Sequence, residues 1–170
     1  MHFSDKPIVR PAEHDDLPAL LTIFDSARAY MRASGNMVQW VGGYPSAELM
    51  KSEIDAGHCF VITDASGVVR ATFCLIAGED PTYARIEGEW LHPGPYCTIH
   101  RLASDGKMRG AFSAALDFAR STGLIIRADT HESNLNMQRL LTDKGFEYCG
   151  IIYVNDGTPR LAYSMPSGAF

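Results

Sequence analysis

Apolar positions along this chain switch between two spacings, and the switches mark the elements. Ile8-Val9-Arg10-Pro11 reads as a short strand that ends at the proline. Asp15 and Asp16 supply N-cap chemistry for a segment in which Leu17, Leu20, Leu21, Phe24, Ala27 and Met31 recur at helical spacing. This predicts a long amphipathic helix, stopped near Gly35. A loop rich in glycine and aromatics runs from Asn36 to Pro45. Ser46 then caps a second helix, with Leu49, Met50 and Ile54 on one face and Gly57 at its end. Cys59–Thr63 and Val68–Ala77 read as a hairpin across Ala65-Ser66-Gly67. Gly78 to Pro95 is a longer connection, with an extra strand expected over Ala84–Leu91.

Tyr96–Ala103 is a strong strand, closed by the turn Ser104-Asp105-Gly106. A helix is expected over Met108–Ser121, because Phe112, Ala115, Leu116 and Ala119 form one stripe. Leu124–Ala128 is a strand. Asn134–Lys144 is a helix with Met137, Leu140 and Leu141 inward and Gly145 as its stop. Phe146–Val154 and Arg160–Met165 are the last strands, joined by Asn155-Asp156-Gly157. An antiparallel start followed by late α/β alternation predicts a mixed, mostly antiparallel sheet with helices on both faces. With no repeat, linker or low-complexity stretch, the 170 residues are expected to form a single domain.

Composition changes this picture little. Hydrophobic residues make up 46% and charged residues 21%, as in an ordinary globular protein. The net charge of −5 argues against nucleic acid or an anionic membrane as partner, and suits a cationic amine. Cys59, Cys74, Cys97 and Cys149 lie in apolar, strand-like runs without a CxxC pair, so buried reduced thiols are expected. Met1 to Arg10 lacks the apolar core of a signal peptide, and no apolar run is long enough to span a bilayer, so a cytoplasmic location is expected. The histidines show no metal-ligand spacing, so no metal is expected.

The chemistry concentrates after the central strand, in Ile99-His100-Arg101-Leu102-Ala103-Ser104-Asp105-Gly106-Lys107-Met108-Arg109-Gly110-Ala111-Phe112. A strand leads through a short turn into a helix that opens with Gly110 and two cations, Lys107 and Arg109. Free N–H groups and the helix dipole make such a start a ready site for a pyrophosphate. Gly110 removes a Cβ where a phosphate would approach the backbone. The same residues also make an ordinary helix start with solvated cations. Neither a Walker loop nor a GxGxxG fingerprint is present.

A second segment, Asn134 to Phe146, has the form N-x-x-M-x-x-L-L-x-x-x-G-F. Together the two segments resemble the GNAT N-acetyltransferase superfamily, in which a [QR]-x-x-G-x-[GA] phosphate loop precedes one helix and an N-x-x-[small]-x-x-[LF]-[YF]-x-x-x-G-F helix follows the next strand. The resemblance implies an acyl-CoA N-acyltransferase-like fold with a V-shaped split between two central parallel strands, and acetyl-CoA as cosubstrate. It implies transfer of the acetyl group to a primary amine of a small molecule or peptide, by direct attack. Two chains pairing through their last strands would be common for the family.

Residue by residue, Lys107 and Gly110 match the first and fourth loop positions, and the loop as a whole spans Lys107, Met108, Arg109, Gly110, Ala111 and Phe112. Phe112 departs from the family, which has Gly or Ala there. The backbone of Leu102 and Ala103 would pair with the pantetheine arm, and Asn134 would contact that arm. A backbone N–H near Leu102 would steady the oxyanion. Leu141 stands where many members carry a tyrosine that protonates the leaving thiolate. For the general base the candidates are His100, on the central strand, and His131, just beyond the neighbouring one. His100 could equally be a core histidine and His131 a solvated loop residue. Glu87 and Glu89 are further candidates. Trp40 and Tyr44 could stack on the acceptor or simply pack the loop, and Thr130 is a further wall residue. A non-catalytic acyl-CoA-binding sensor is the alternative reading, motivated by Phe112 and Leu141.

Overall fold

The computed structural model describes residues 6–168. Part of the polar start, Met1–Asp5, lies outside the described residues. In chain order the elements are β1 (Ile8–Pro11), α1 (Leu17–Ala33), α2 (Ala47–Asp55), β2 (Cys59–Thr63), β3 (Val69–Ala77), β4 (Glu87–Gly88), β5 (Tyr96–Ser104), α3 (Ala111–Arg120), β6 (Ile125–Thr130), α4 (Leu135–Asp143), β7 (Glu147–Tyr153) and β8 (Pro159–Met165). The fold class is the expected one: a mixed, mostly antiparallel eight-stranded sheet with four helices. No helix is long and apolar enough to cross a membrane among the described residues.

The chain forms two compact units. One comprises the chain up to Leu75 together with Arg101–Phe118, and the other comprises Ile76–His100 together with Ala119 onward. In the first unit β1, β2 and β3 are neighbours in that order, and Cys59 stands opposite Cys74. One face carries Cys59, Val61 and Cys74 against Leu20, Ile23, Phe24 and Met50 of α1 and α2, all nearly inaccessible to solvent. The opposite face carries Phe60 and Phe73, whose rings meet Phe118 of α3 at 4.6 and 6.0 Å. Both faces are therefore covered, which is why burial in β2 and β3 runs almost continuously instead of alternating. Each such Leu, Ile or Phe contributes about 1.5–3 kcal/mol by leaving water.

Ser46 caps α2 as read, accepting from Leu49 N–H at 3.1 Å. Asp16 behaves differently. Its carboxylate makes no cap bond to α1 and instead takes both guanidinium nitrogens of Arg10, at 2.8 and 2.9 Å. A bidentate charged pair outcompetes a neutral cap.

In the second unit the order is β5-β6-β8-β7-β4. The β5–β6 pair is parallel and the other neighbours are antiparallel. Its ladder pairs Tyr96, Cys97 and Thr98 with Ile125, Ile126 and Arg127. β6 continues to Thr130 paired with β8. A parallel ladder that ends while both strands continue fits the V-shaped splay. All four cysteines are buried free thiols.

Two boundaries differ from the sequence reading. The extra strand shrinks to Glu87–Gly88, because Asp80 and Pro81 start a 3-10 turn over Pro81–Tyr83 and Trp90 turns inward onto Tyr83. The third helix begins at Ala111 rather than Met108, because Gly110 adopts φ +83°, outside helical space. Lys107, Met108 and Arg109 therefore belong to the turn before the helix.

Candidate functional site

The second unit gathers its titratable groups where the parallel ladder ends. His100 lies on β5 two residues past the last pair, Thr98–Arg127, and Asp129 lies on β6 two residues past it. Alternation along each strand puts Thr98 and His100 on one face of β5, and Arg127 and Asp129 on one face of β6. His100 Nε2 is 3.1 Å from Asp80 Oδ2, and both side chains keep about a fifth of their surface open. His100 is therefore neither a sealed core residue nor fully solvated.

Asp80 also accepts the amide and hydroxyl of Thr82, at 2.9 and 2.7 Å. Its bond to His100, with help from Thr82, holds the carboxyl down to about 2. Tyr96 fixes the same turn from β5, its hydroxyl accepting from Asp80 N–H at 2.7 Å. The far end of the turn is Tyr83. Its ring packs on Trp90 at 5.0 Å and on Tyr96 at 6.2 Å, and its hydroxyl donates to Asp129 Oδ2 at 2.5 Å. Burial pushes the Tyr83 phenol well above its ordinary value, and Asp129 adds to that. Burial also raises the Asp129 carboxyl. Beneath these groups the buried Arg127 guanidinium lies 4.0 Å from the Trp90 ring and 3.8 Å from the Tyr96 ring. One four-residue turn, Asp80 to Tyr83, thus orients both His100 and Asp129.

The other second-unit candidates are engaged differently. His131 Nδ1 takes the amide and hydroxyl of Ser133, at 3.0 and 2.7 Å, in a local turn after β6, and burial depresses its imidazole. Glu87 accepts from the Tyr153 hydroxyl on the edge strand, and Glu89 is exposed. Thr130 is 1% exposed, and its hydroxyl has no partner among the described residues. Asn134 is the N-cap of α4, accepting from Met137 N–H at 3.1 Å. Leu141 is buried, so an apolar core side chain occupies the position of the family tyrosine.

In the first unit, β5 continues through Arg101, which adopts φ +53°. A non-glycine residue in that region within a strand is strained. Its side chain is heavily engaged: Nε donates to the Tyr44 hydroxyl at 2.8 Å, and a guanidinium nitrogen lies 3.4 Å from Glu53. Leu102 and Ala103 follow on the same strand, with Ala103 packed into the core.

The Asn36–Pro45 loop is pinned by Arg32, which donates to the carbonyls of Asn36, Gln39 and Trp40. Trp40 meets Phe24 edge-on at 5.6 Å, so it packs the loop onto the core. Tyr44 stays 39% exposed. Met37, Val38 and Val41 beside it are also exposed.

The turn before α3 is built by local bonds. Ser104 Oγ accepts from Gly106 N–H, Asp105 Oδ1 accepts from Lys107 N–H, and Arg70 bridges Asp64 and Asp105. The first intrahelical bond joins Ala114 N–H to the Gly110 carbonyl, at 2.9 Å. The amides of Ala111, Phe112 and Ser113 therefore have no acceptor within the helix. A Cβ on Gly110 would find room beside Pro7, so positive φ, not crowding, selects glycine. These residues fit a pyrophosphate: outward amides, a left-handed glycine and two cations.

Sequence reasoning missed Asp80, Tyr83 and Asp129. The Asp80-Pro81 pair is a turn signal that was not used in reading the connection. Nothing local showed that this turn reaches both β5 and β6.

No protein-family model matches the chain, and no curated protein matches it. Solved structures do. An acetyltransferase of the GNAT family from Streptococcus agalactiae is 28% identical, covering 96% of both chains with a TM-score of 0.83. A GNAT-family acetyltransferase from Bacillus cereus is 18% identical, covering 96% of this chain and 99% of its own, with a TM-score of 0.65. The ribosomal-protein-S18-alanine N-acetyltransferase from Escherichia coli is 16% identical, covering 97% of this chain and 96% of its own, with a TM-score of 0.62. The last two likenesses concern the fold alone. The parallel ladder that ends early, the glycine-led helix start and the likeness to the streptococcal protein make the chain similar to acetyltransferases of the GNAT family, whose fold it shares.

Proposed function

We propose that this protein transfers an acetyl group from acetyl-CoA to a primary amine, with His100 as the general base. The observation that carries the reading is the Asp80–His100 pair beside the end of the parallel ladder. The likeness to a GNAT-family acetyltransferase, and an N-acetyltransferase among the structural neighbours, support an amine acceptor.

An alkylammonium must lose a proton before its nitrogen can attack. His100 takes that proton directly or through one water, and Asp80 orients the ring and stabilises the imidazolium. The amine lone pair then forms a bond to the thioester carbonyl carbon, and the oxyanion takes backbone N–H donation near Leu102. Collapse breaks the C–S bond. The nitrogen loses its second proton as the amide forms, and that proton neutralises the CoA thiolate through water. A phenol at position 141 is not required for this balance. Lys107, Arg109 and the amides from Ala111 onward hold the pyrophosphate.

Isothermal titration with acetyl-CoA, with ATP as control, followed by thiol-release assays across primary amines, tests the reading. Micromolar binding with amine-dependent thiol release supports it. Tight binding without release for any amine supports instead an acyl-CoA sensor, the reading favoured by the buried Leu141.

A further inference from the structure

We propose that Asp129, held by the Tyr83 hydroxyl, recognises the cationic nitrogen of the acceptor and makes the preferred substrate a primary alkylammonium rather than an amine that is neutral at neutral pH. This rests on the acetyl-transfer reading above. Three observations carry it, all from the second unit.

The first is position. Extending the ladder by two residues brings His100 of β5 level with Asp129 of β6, after their last pair and on the continuing arms of the two strands. A group entering where the strands cease to pair meets an imidazole on one arm and a carboxylate on the other.

The second is orientation. Asp80 and Tyr83 bracket one 3-10 turn, and each holds one of the two facing groups. Tyr83 is 2% exposed, so it cannot touch an acceptor and serves as a positioning residue. Tyr96 and Trp90 pack its ring and fix the direction of its hydroxyl.

The third is incomplete compensation. The Tyr83 bond engages Asp129 Oδ2, while Oδ1 receives no hydrogen bond from the described residues. Arg160 acts on the carboxylate only through longer-range attraction. The carboxylate is half-buried, and with a single neutral donor its charge is only partly compensated. An ammonium beside it would supply the missing charge and N–H donors. Asp80 cannot take this role as readily, since His100 and Thr82 already occupy it. The division of labour follows: Asp129 binds the cation, and His100, backed by Asp80, removes its proton.

The test uses the full chain with acetyl-CoA and a panel of methylamine, 1,4-diaminobutane, 2-phenylethylamine and glycinamide, with aniline as an acceptor that is neutral at pH 7.5. Asp129→Asn is expected to raise KM about tenfold or more for the best panel amine, the loss of one charge-assisted contact. Its kcat should stay within about threefold, and its acetyl-CoA affinity and its KM for aniline should not change. Tyr83→Phe keeps the ring packing and should raise KM for the same amine by a smaller factor. It also guards against a folding defect in Asp129→Asn. An unchanged KM, a loss confined to kcat, or an equal rise for aniline overturns the assignment while leaving acetyl transfer standing. A wild type that binds acetyl-CoA but acetylates no panel amine overturns the transfer reading and this inference together.

Discussion

His100 Nε2 and Asp80 Oδ2 stand 3.1 Å apart, and the Asp80 carboxylate is held from its other side by the amide and hydroxyl of Thr82. The carboxylate belongs to a turn and the imidazole to a strand, so the geometry of the pair depends on the turn staying closed. Thr82 and the Tyr96 hydroxyl keep it closed. This arrangement suits proton transfer: a ring oriented on one side and partly open on the other.

Removing either partner should separate chemistry from binding. His100→Gln should lower kcat by about a hundredfold or more, the usual range for a general base. Asp80→Asn keeps the shape and some hydrogen bonding and should lower kcat by a smaller factor. Acetyl-CoA affinity, measured by titration calorimetry, should not change in either variant. A wild-type kcat in His100→Gln would remove the imidazole from the mechanism.

The same pair predicts how stability depends on pH. The folded state holds the Asp80 carboxyl at about 2, below its ordinary value. A carboxyl depressed on folding stabilises the protein above its unfolded pKa, and that stabilisation is lost as pH falls through the window down to the folded value. Solvent screening at this partly open pair keeps the contribution to about 1 kcal/mol. The difference in urea midpoint between wild type and Asp80→Asn should therefore be fully present above about pH 5 and shrink between about pH 4 and pH 2. A difference that grows on acidification would refute the assignment.

The helix start before α3 should respond in two distinguishable ways. Gly110→Ala forces a side chain into φ +83° and should cost about 1 kcal/mol of stability while weakening acetyl-CoA. Lys107→Ala should leave the thermal midpoint close to wild type. It should weaken acetyl-CoA about tenfold and reduce the salt dependence of binding. Calorimetry at two salt concentrations separates the effects. An unaltered affinity in Lys107→Ala would mean that this lysine is solvated.

Gly88 and Gly150 face each other at the short β4–β7 ladder. A Cβ on Gly150 would collide with the backbone carbonyl of Glu87, and a Cβ on Gly88 with that of Cys149. Both also adopt positive φ. Gly150→Ala should destabilise the protein by about 1–3 kcal/mol from backbone strain alone, with more from the collision. Denaturant unfolding reads this directly. A change below experimental error would mean that the edge strand can detach at no cost.

The periodic segments declared themselves in the sequence. The stripe from Leu17 to Met31, the Ser46 cap and the glycine stop at Gly145 depend on neighbours within a turn or two, so their signals are local. The mixed sheet was legible from the order of those segments, whereas the left-handed turn at Gly110 was not, since the sequence pattern places this glycine inside the helix. The limits of the third helix were less legible: Met108 and Arg109 are good helix formers, and only the backbone turn at Gly110 excludes them. The contribution of Asp80, Tyr83 and Asp129 was not legible at all. Asp80 lies 20 positions from His100 and Tyr83 lies 46 from Asp129. The sequence by itself determined most of the segments that form strands and helices. Only the tertiary structure decided which side chains flank the end of the parallel ladder, because long-range strand register sets which residues lie level, and no local spacing encodes it.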